Sequence, residues 1–279
     1  MKSLAFALLY VGSIFALFPG GTGAQEAKVY TLAVVPQAQA ISVAQKWAPF
    51  VMKLSQEAGV TIQIKTYHSS IPQFESDVKN GVPDFAYMNP YHIVMAYRAQ
   101  KYIPLIRDRD PLVGILVAHK NTGVNSVKEI KGRVIAFPSP NAFGASLYMR
   151  ALLTKIERIP FTPSYVQTHD NVYRHVLLDR AAASGGVQDT FDNQAEEIKN
   201  QLKIIYRPPP SVSHPFAAHP RVPESVRKKV ANAILELARD PANKKLLKDV
   251  QIEKPVLADY ETDYAPLAKL GLEKFVVAE

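Results

Sequence analysis

Asp84-Phe85-Ala86-Tyr87-Met88-Asn89-Pro90 is the stretch that decides the fold. Asp84 to Met88 reads as a strand, and Asn89-Pro90 closes it, because proline has no N–H to give to a ladder. Ile93, Val94 and Tyr97 then lie on a helix. The same strand–turn–helix phrase recurs outward along the chain. On the N-terminal side, Val29 to Val35 is a strand and Pro36 to Gln39 a turn. A helix follows with Val43, Trp47, Val51 and Leu54 on one face, and Pro49 is expected to kink or break it. Val60, Ile62 and Ile64 alternate with polar residues as a half-buried strand. Ile71, Phe74 and Val78 mark a short helix ended by Asn80-Gly81.

On the C-terminal side, Leu112 to Ala118 and Arg133 to Phe137 are strands. The second runs into Pro138-Ser139-Pro140-Asn141 and a helix from about Phe143 that carries Leu147, Ala151 and Leu152. Asn171 to Leu178 is helix, Ala181 to Val187 a strand of small residues, and Leu202 to Tyr206 a strand stopped by three prolines. Val226, Val230, Ile234 and Leu237 line one face of a later helix. Strands alternating with helices imply α/β architecture, with parallel sheets covered on both faces. Ligands of such sheets sit beyond the carboxyl ends of strands. That rule selects Pro36 to Ala40, Tyr87 to Tyr91 and Ser139 to Gly144.

Composition narrows the function classes. Residues 1–24 have a lysine start, an apolar run from Leu4 to Phe18 and small residues at Thr22-Gly23-Ala24, which is the secretory leader pattern. The run is shorter than the roughly 20 residues of a membrane span. With no cysteine in the chain, disulfides, thiolate metal sites and a lipid-modified cysteine are all excluded. The expected product is a soluble periplasmic protein cleaved near Ala24 and not tethered by lipid. The net charge of +8 becomes +7 once Lys2 is lost with the leader. The basic residues are scattered, so no nucleic-acid partner is expected. None of the seven histidines stands in a metal-ligand spacing, and there is no nucleophile elbow, phosphate loop or dinucleotide fingerprint. No cofactor, metal or enzymatic activity is therefore expected.

Several segments together resemble the phosphate/phosphonate-type periplasmic solute-binding proteins of ABC importers. Asp84 to Pro90 is similar to that family's D-(apolar)-A-(Y/F)-x-x-P strand and loop. Lys131-Gly132-Arg133-Val134-Ile135-Ala136-Phe137 resembles its strand leading into the ligand loop. Thr168-His169-Asp170-Asn171-Val172 resembles its (S/T)-H-x-x-V segment, and Gly185-Gly186-Val187 follows at the family's distance. Trp47 with Pro49, and Pro215 to Pro220, also match in order and spacing. The resemblance covers essentially the whole chain after the leader. It implies an α/β two-lobe periplasmic binding protein fold of type II, with the ligand cleft between lobes. The implied role is the small-molecule receptor of an ABC importer, a monomer delivering a phosphonate, phosphate or related organic solute to a membrane permease. A membrane-sensor role on the same fold is the alternative, and an enzyme a more distant one. The two long segments Leu112 to Ala118 and Ile204 to Pro210 serve as crossovers. One lobe is then expected over 27–110 plus 215–279 and the other over 112–213.

The loops and the resemblance place Gln37, Tyr87, Asn89, Tyr91, Ser139, Asn141, Ala142, Phe143, His169 and Asp189 at the ligand. Each has a plainer role to set beside that one. Tyr87, Tyr91 and Phe143 are equally suited to core packing, and His169 and Asn141 to capping a helix. One departure bears on specificity. Family members that bind phosphonate or phosphate carry a Ser-Thr-Ser-Gly type loop where this chain has Asn141-Ala142-Phe143-Gly144. Replacing hydroxyl donors with an amide, a methyl and a ring favours a bulkier organic ligand over phosphate. Phe143, Tyr87 and Tyr91 would then offer aromatic faces to it.

Overall fold

The computed structural model describes residues 28–37, 39–67 and 71–277. The leader reading over residues 1–24 lies outside them. In chain order, β1 (Val29–Val34), α1 (Ala40–Ala58), β2 (Thr61–Lys65), α2 (Ile71–Lys79), β3 (Phe85–Tyr87), α3 (Pro90–Gln100) and β4 (Ile103–Asp108) open the structure. Next come β5 (Gly114–His119), β6 (Val134–Phe137), a π-helical turn (Phe143–Leu147) running into α4 (Tyr148–Lys155), β7 (Thr162–Tyr165), α5 (His169–Leu177), β8 (Ala183–Val187), α6 (Gln188–Asp192), α7 (Glu196–Lys199) and β9 (Leu202–Tyr206). The chain ends with β10 (Pro215–Ala218), α8 (Glu224–Leu237), α9 (Lys244–Asp249), β11 (Pro255–Leu257) and short helical turns over Tyr260–Phe275.

The strands form two sheets, ordered β11-β4-β10-β3-β1-β2 and β7-β6-β8-β5-β9. β1 and β6 therefore belong to different sheets. Both sheets are mixed, which corrects the expectation of purely parallel ones. β10 runs antiparallel to β3 and β4, and β5 antiparallel to β8 and β9. These are the strands that enter each sheet straight after the chain has crossed from the other. A chain arriving from the neighbouring lobe starts at the carboxyl ends of the resident parallel strands, so it runs the opposite way. The two crossing segments lie side by side, with Leu112 and Ser211 exchanging backbone bonds of 2.8 and 2.9 Å.

Local patterning explains what each element buries. On α1, Trp47, Phe50, Val51 and Leu54 are all 5% exposed or less, each contributing ~1.5–3 kcal/mol relative to an exposed position. The helix continues unbroken through Pro49. Pro49 lies on the exposed face, as does Gln45 one turn earlier, so the carbonyl left without a donor meets water. In β5, Ile115 and Val117 pack into one hydrophobic cluster and Leu116 and Ala118 into another, so both faces of the second sheet are covered. The helix after Phe143 is likewise buried on two sides. Leu147 and Ala151 join one cluster, and Met149 and Leu153 another, while Leu152 is only half-buried. β4 was not legible because Pro104 interrupts it. There the β10 register slips between Phe216 and Ala217, and the bulge accommodates a residue that has no N–H.

Candidate functional site

The three loops selected by the strand-end rule do meet. Gln37 follows β1, Asn89 follows β3, and Pro138, Ala142, Phe143, Gly144 and Ala145 follow β6; together with His169 and His214 they line one cavity of about 30 Å³. Both sheets contribute walls to it. Two wider chambers of about 280 and 580 Å³ open beside it, sharing His214 with the first and Gln37 and His169 with the second.

The donors in the central cavity have identifiable origins. The π-helical turn at Phe143 begins with Ala142 outside the helix, and the Ala142 carbonyl accepts from both Ser146 and Leu147 at 2.9 and 3.0 Å. The N–H groups of Phe143, Gly144 and Ala145 precede that first intrahelical bond and so make none within the helix. They lie at the positive end of a helix that continues to Lys155. Asn89 caps α3, its Oδ1 accepting from the His92 N–H at 2.8 Å. Gln37 Nε2 lies 3.0 Å from His214 Nε2, and His169 Nδ1 lies 3.3 Å from Thr190 Oγ1.

Both cavity histidines are buried, at 8% and 7% exposure. Burial pushes the His169 imidazole down to about 4. Burial, with the charges of His92 and His169 adding to it, pushes His214 down to about 3. Both rings are therefore neutral near pH 7. Each folded value lies below the ordinary 6.5, so the unfolded chain binds more protons in acid. Stability is expected to fall as pH drops from about 6.5 toward 4, by on the order of 3 kcal/mol per histidine at most. Thermal unfolding across that range checks this. A His214→Gln variant should show a flatter decline, and an unchanged slope would contradict the assignment.

The remaining sequence-selected residues are placed differently. Tyr87 is 2% exposed; its ring stacks on His214 at 5.5 Å and tilts against Trp47 at 4.7 Å. It backs the cavity and borders the 280 Å³ chamber. Asp189 stands in that chamber with Asp108, Asp110, Asp192 and Glu253, against Lys248. Burial between the lobes, then the neighbouring carboxylates, raises its carboxyl above the usual range. Phe143 is 2% exposed, and its ring stacks on Tyr148 at 5.5 Å and 1°. Tyr91 is half-buried and packs against the cluster containing Phe143 and Leu147. Of these three aromatic residues only Phe143 lines the central cavity, while Tyr87 stands behind it and Tyr91 packs against the neighbouring cluster. Ser139 does not line the cavity, and its buried hydroxyl has no partner among the described residues. Asn141 also lies outside the lining, its amide held by Glu75 and the Val277 backbone. His214 is a polar cavity-lining residue that the sequence reading does not select. Its signal was its place at the end of the second crossing, immediately before Pro215.

Comparison with known proteins fits this geometry. Residues 32–264 match the family model described as ABC transporter, phosphonate, periplasmic substrate-binding protein. No protein of curated function matches at a significant level. Among solved structures, PhnD1 of Prochlorococcus marinus in complex with methylphosphonate is similar at a TM-score of 0.78 and 17% identity, over 89% of this chain and 98% of that one. A binding-protein component of an ABC phosphonate transporter from Pseudomonas aeruginosa is similar at 0.76 and 15%, over 89% and 87%. XAC2383 of Xanthomonas citri bound to ATP is similar at 0.67 and 15%, over 88% and 98%. At such identities these structures establish the fold, the two-lobe type II arrangement.

Proposed function

Since the chain belongs to the phosphonate-type periplasmic substrate-binding proteins of ABC transporters, we propose that its cleft binds a phosphonate-like oxyanion carrying a cationic or hydrogen-bond-donating substituent. The observation that carries this reading is that Phe143, Gly144 and Ala145, the residues whose N–H groups open the helix, line a cavity walled by both lobes. A helix start of this kind suits an anion. His169, His214, Asn89 and Gln37 surround it as neutral polar groups. No lysine or arginine lines the cavity among the described residues, so a doubly charged phosphate would exchange its water shell for too few strong donors. The adjoining chamber with its Asp189 group supports a positively charged substituent there.

The rest of the proposal follows the family role. The lobes are 27–110 with 215–279, and 112–213, the last part of the first reaching across onto the second at Leu272 to Val277, and they turn about the paired crossings at Leu112 and Ser211. The leader is removed near Ala24, and the protein, free in the periplasm, hands its ligand to a membrane permease. Calorimetry of the protein from Gln25 onward tests the ligand class. 2-Aminoethylphosphonate should bind more tightly than methylphosphonate, and both more tightly than inorganic phosphate. His169→Ala should weaken the phosphonates by at least roughly tenfold, the value of one hydrogen bond to a charged group. Binding of a betaine with none of either phosphonate would reject the reading.

A further inference from the structure

After Tyr264, whose hydroxyl donates to the Ser213 carbonyl at 3.1 Å, the chain lies over α3, with Leu267 and Ala268 against the first-lobe core and Glu273 paired with Arg98 at 2.6 Å, while residues up to 277 also reach the second lobe. Leu272 is 1% exposed there, packed with Leu112, Phe143 and Leu147. Lys155 Nζ donates to the Leu270 carbonyl at 2.9 Å. Asn141 meets the backbone of Val277 in both directions, Nδ2 donating to its carbonyl at 3.1 Å and Oδ1 accepting its N–H at 3.2 Å. The segment is a strap across the two lobes.

Asn141 is also where the lobes touch. Its Nδ2 lies 3.3 Å from Glu75 Oε2, and its carbonyl accepts from Asn89 Nδ2 at 3.2 Å. The other Glu75 oxygen is 2.9 Å from His92 Nε2, and both residues are buried. Burial alone would raise the Glu75 carboxyl. The His92 bond and charge, Lys79 and the Asn141 amide outweigh burial and hold it below the usual range, so it remains an acceptor. Arg150, buried and without a carboxylate partner among the described residues, flanks the same loop. Its Nη2 donates to the Pro140 and Phe275 carbonyls at 2.7 and 2.8 Å, and its Nε to Ser146 Oγ at 3.2 Å. The helix-opening amides of Phe143 to Ala145 lie between those two ends.

We propose that Asn141 and Arg150 are positioning residues that fasten the amide-bearing loop to the C-terminal strap, and that the strap, through Asn141 and Glu75, holds the lobes together before ligand arrives. The effect on affinity rests on the ligand site proposed above; the effect on shape does not. A protein whose competent arrangement is populated only in part binds with an affinity reduced by that fraction. Breaking the clasp lowers the fraction without removing a ligand contact.

The experiment pairs calorimetry on methylphosphonate with small-angle scattering of the ligand-free protein, for wild type, Asn141→Ala, Asn141→Asp and a chain ending at Gly271. Each variant should bind on the order of tenfold more weakly and show a larger ligand-free radius of gyration. Saturating ligand should return that radius to the wild-type value. Asn141→Asp, which sets a carboxylate against Glu75, should open at least as far as Asn141→Ala. If Asn141→Ala does not fold, the truncated chain carries the same test. Wild-type affinity together with wild-type dimensions would overturn the proposal. So would a loss of affinity with unchanged dimensions, which would make Asn141 a ligand contact and not a clasp. Wild-type protein that binds no phosphonate would reject the ligand reading, while the scattering comparison would still decide whether the strap closes the lobes.

Discussion

Replacing Gly185 with alanine is expected to destabilise the protein by about 3 kcal/mol or more, the upper range for overpacking a filled core. Gly185 lies in β8, directly beneath the helical turn that presents the cavity amides. A Cβ there would collide with the Ala145 carbonyl oxygen and stand 2.7 Å from the Phe137 ring. The carbonyl is backbone, so it moves only if the turn moves, and the Phe143–Ala145 amides move with it. The constraint is space, because Gly185 does not have a positive φ. Gly123 provides the contrast: its φ is +70° and an added Cβ would touch nothing within 4 Å. Gly123→Ala should cost roughly 1 kcal/mol from backbone strain alone. Calorimetric melting should place Gly185→Ala roughly 6–12 °C below wild type. A shift as small as that of Gly123→Ala would show that β8 and the turn can part without penalty.

Asp84→Ala is the second large effect, expected at roughly 2–4 kcal/mol from stranded polar partners. Asp84 Oδ2 accepts from the Thr31 N–H and Oγ1 at 2.9 and 3.2 Å, and the Asp84 N–H donates back to Thr31 Oγ1 at 3.0 Å. Its Oδ1 receives Arg221 Nε at 2.8 Å. The residue thereby joins β1, β3 and the turn after β10. Truncation leaves the Thr31 N–H and one arm of Arg221 without an acceptor. Burial pushes the Asp84 carboxyl up, but the Arg221 and Thr31 bonds outweigh it and hold the group below its ordinary range. Its contribution is thus present above the unfolded value near 3.9 and lost as pH falls through the folded one. Denaturant titrations at pH 7 should separate wild type from Asp84→Ala, and the gap should narrow in strong acid. A gap that is independent of pH would assign the loss to packing instead.

The aspartate that opened the sequence reading therefore serves the fold, while the residue of the same motif that lines the cavity is Asn89, five residues on. Other residues divided in the same way. His169 reached the cavity where the family pattern placed it, and Ala142 and Phe143 contribute to the same wall. Asn141 stands next to them in sequence, yet its side chain is held by a residue 136 positions away. Nothing in the Asn141-Ala142-Phe143 loop announces that partner.

The sequence by itself determined the alternation of strands and helices, the strand ends at which a cavity would open, and the family. Periodicities of two and 3.6 record which side of a local segment is buried, and proline and glycine mark where it stops. These are properties of neighbouring residues, so they survive in the linear order. Only the tertiary structure decided the antiparallel entry of β5 and β10, the pairing of Gln37 with His214 across 177 positions, and the commitment of Asn141 to the strap. Those depend on how two separately patterned lobes meet, and a contact between distant segments leaves no period in either of them.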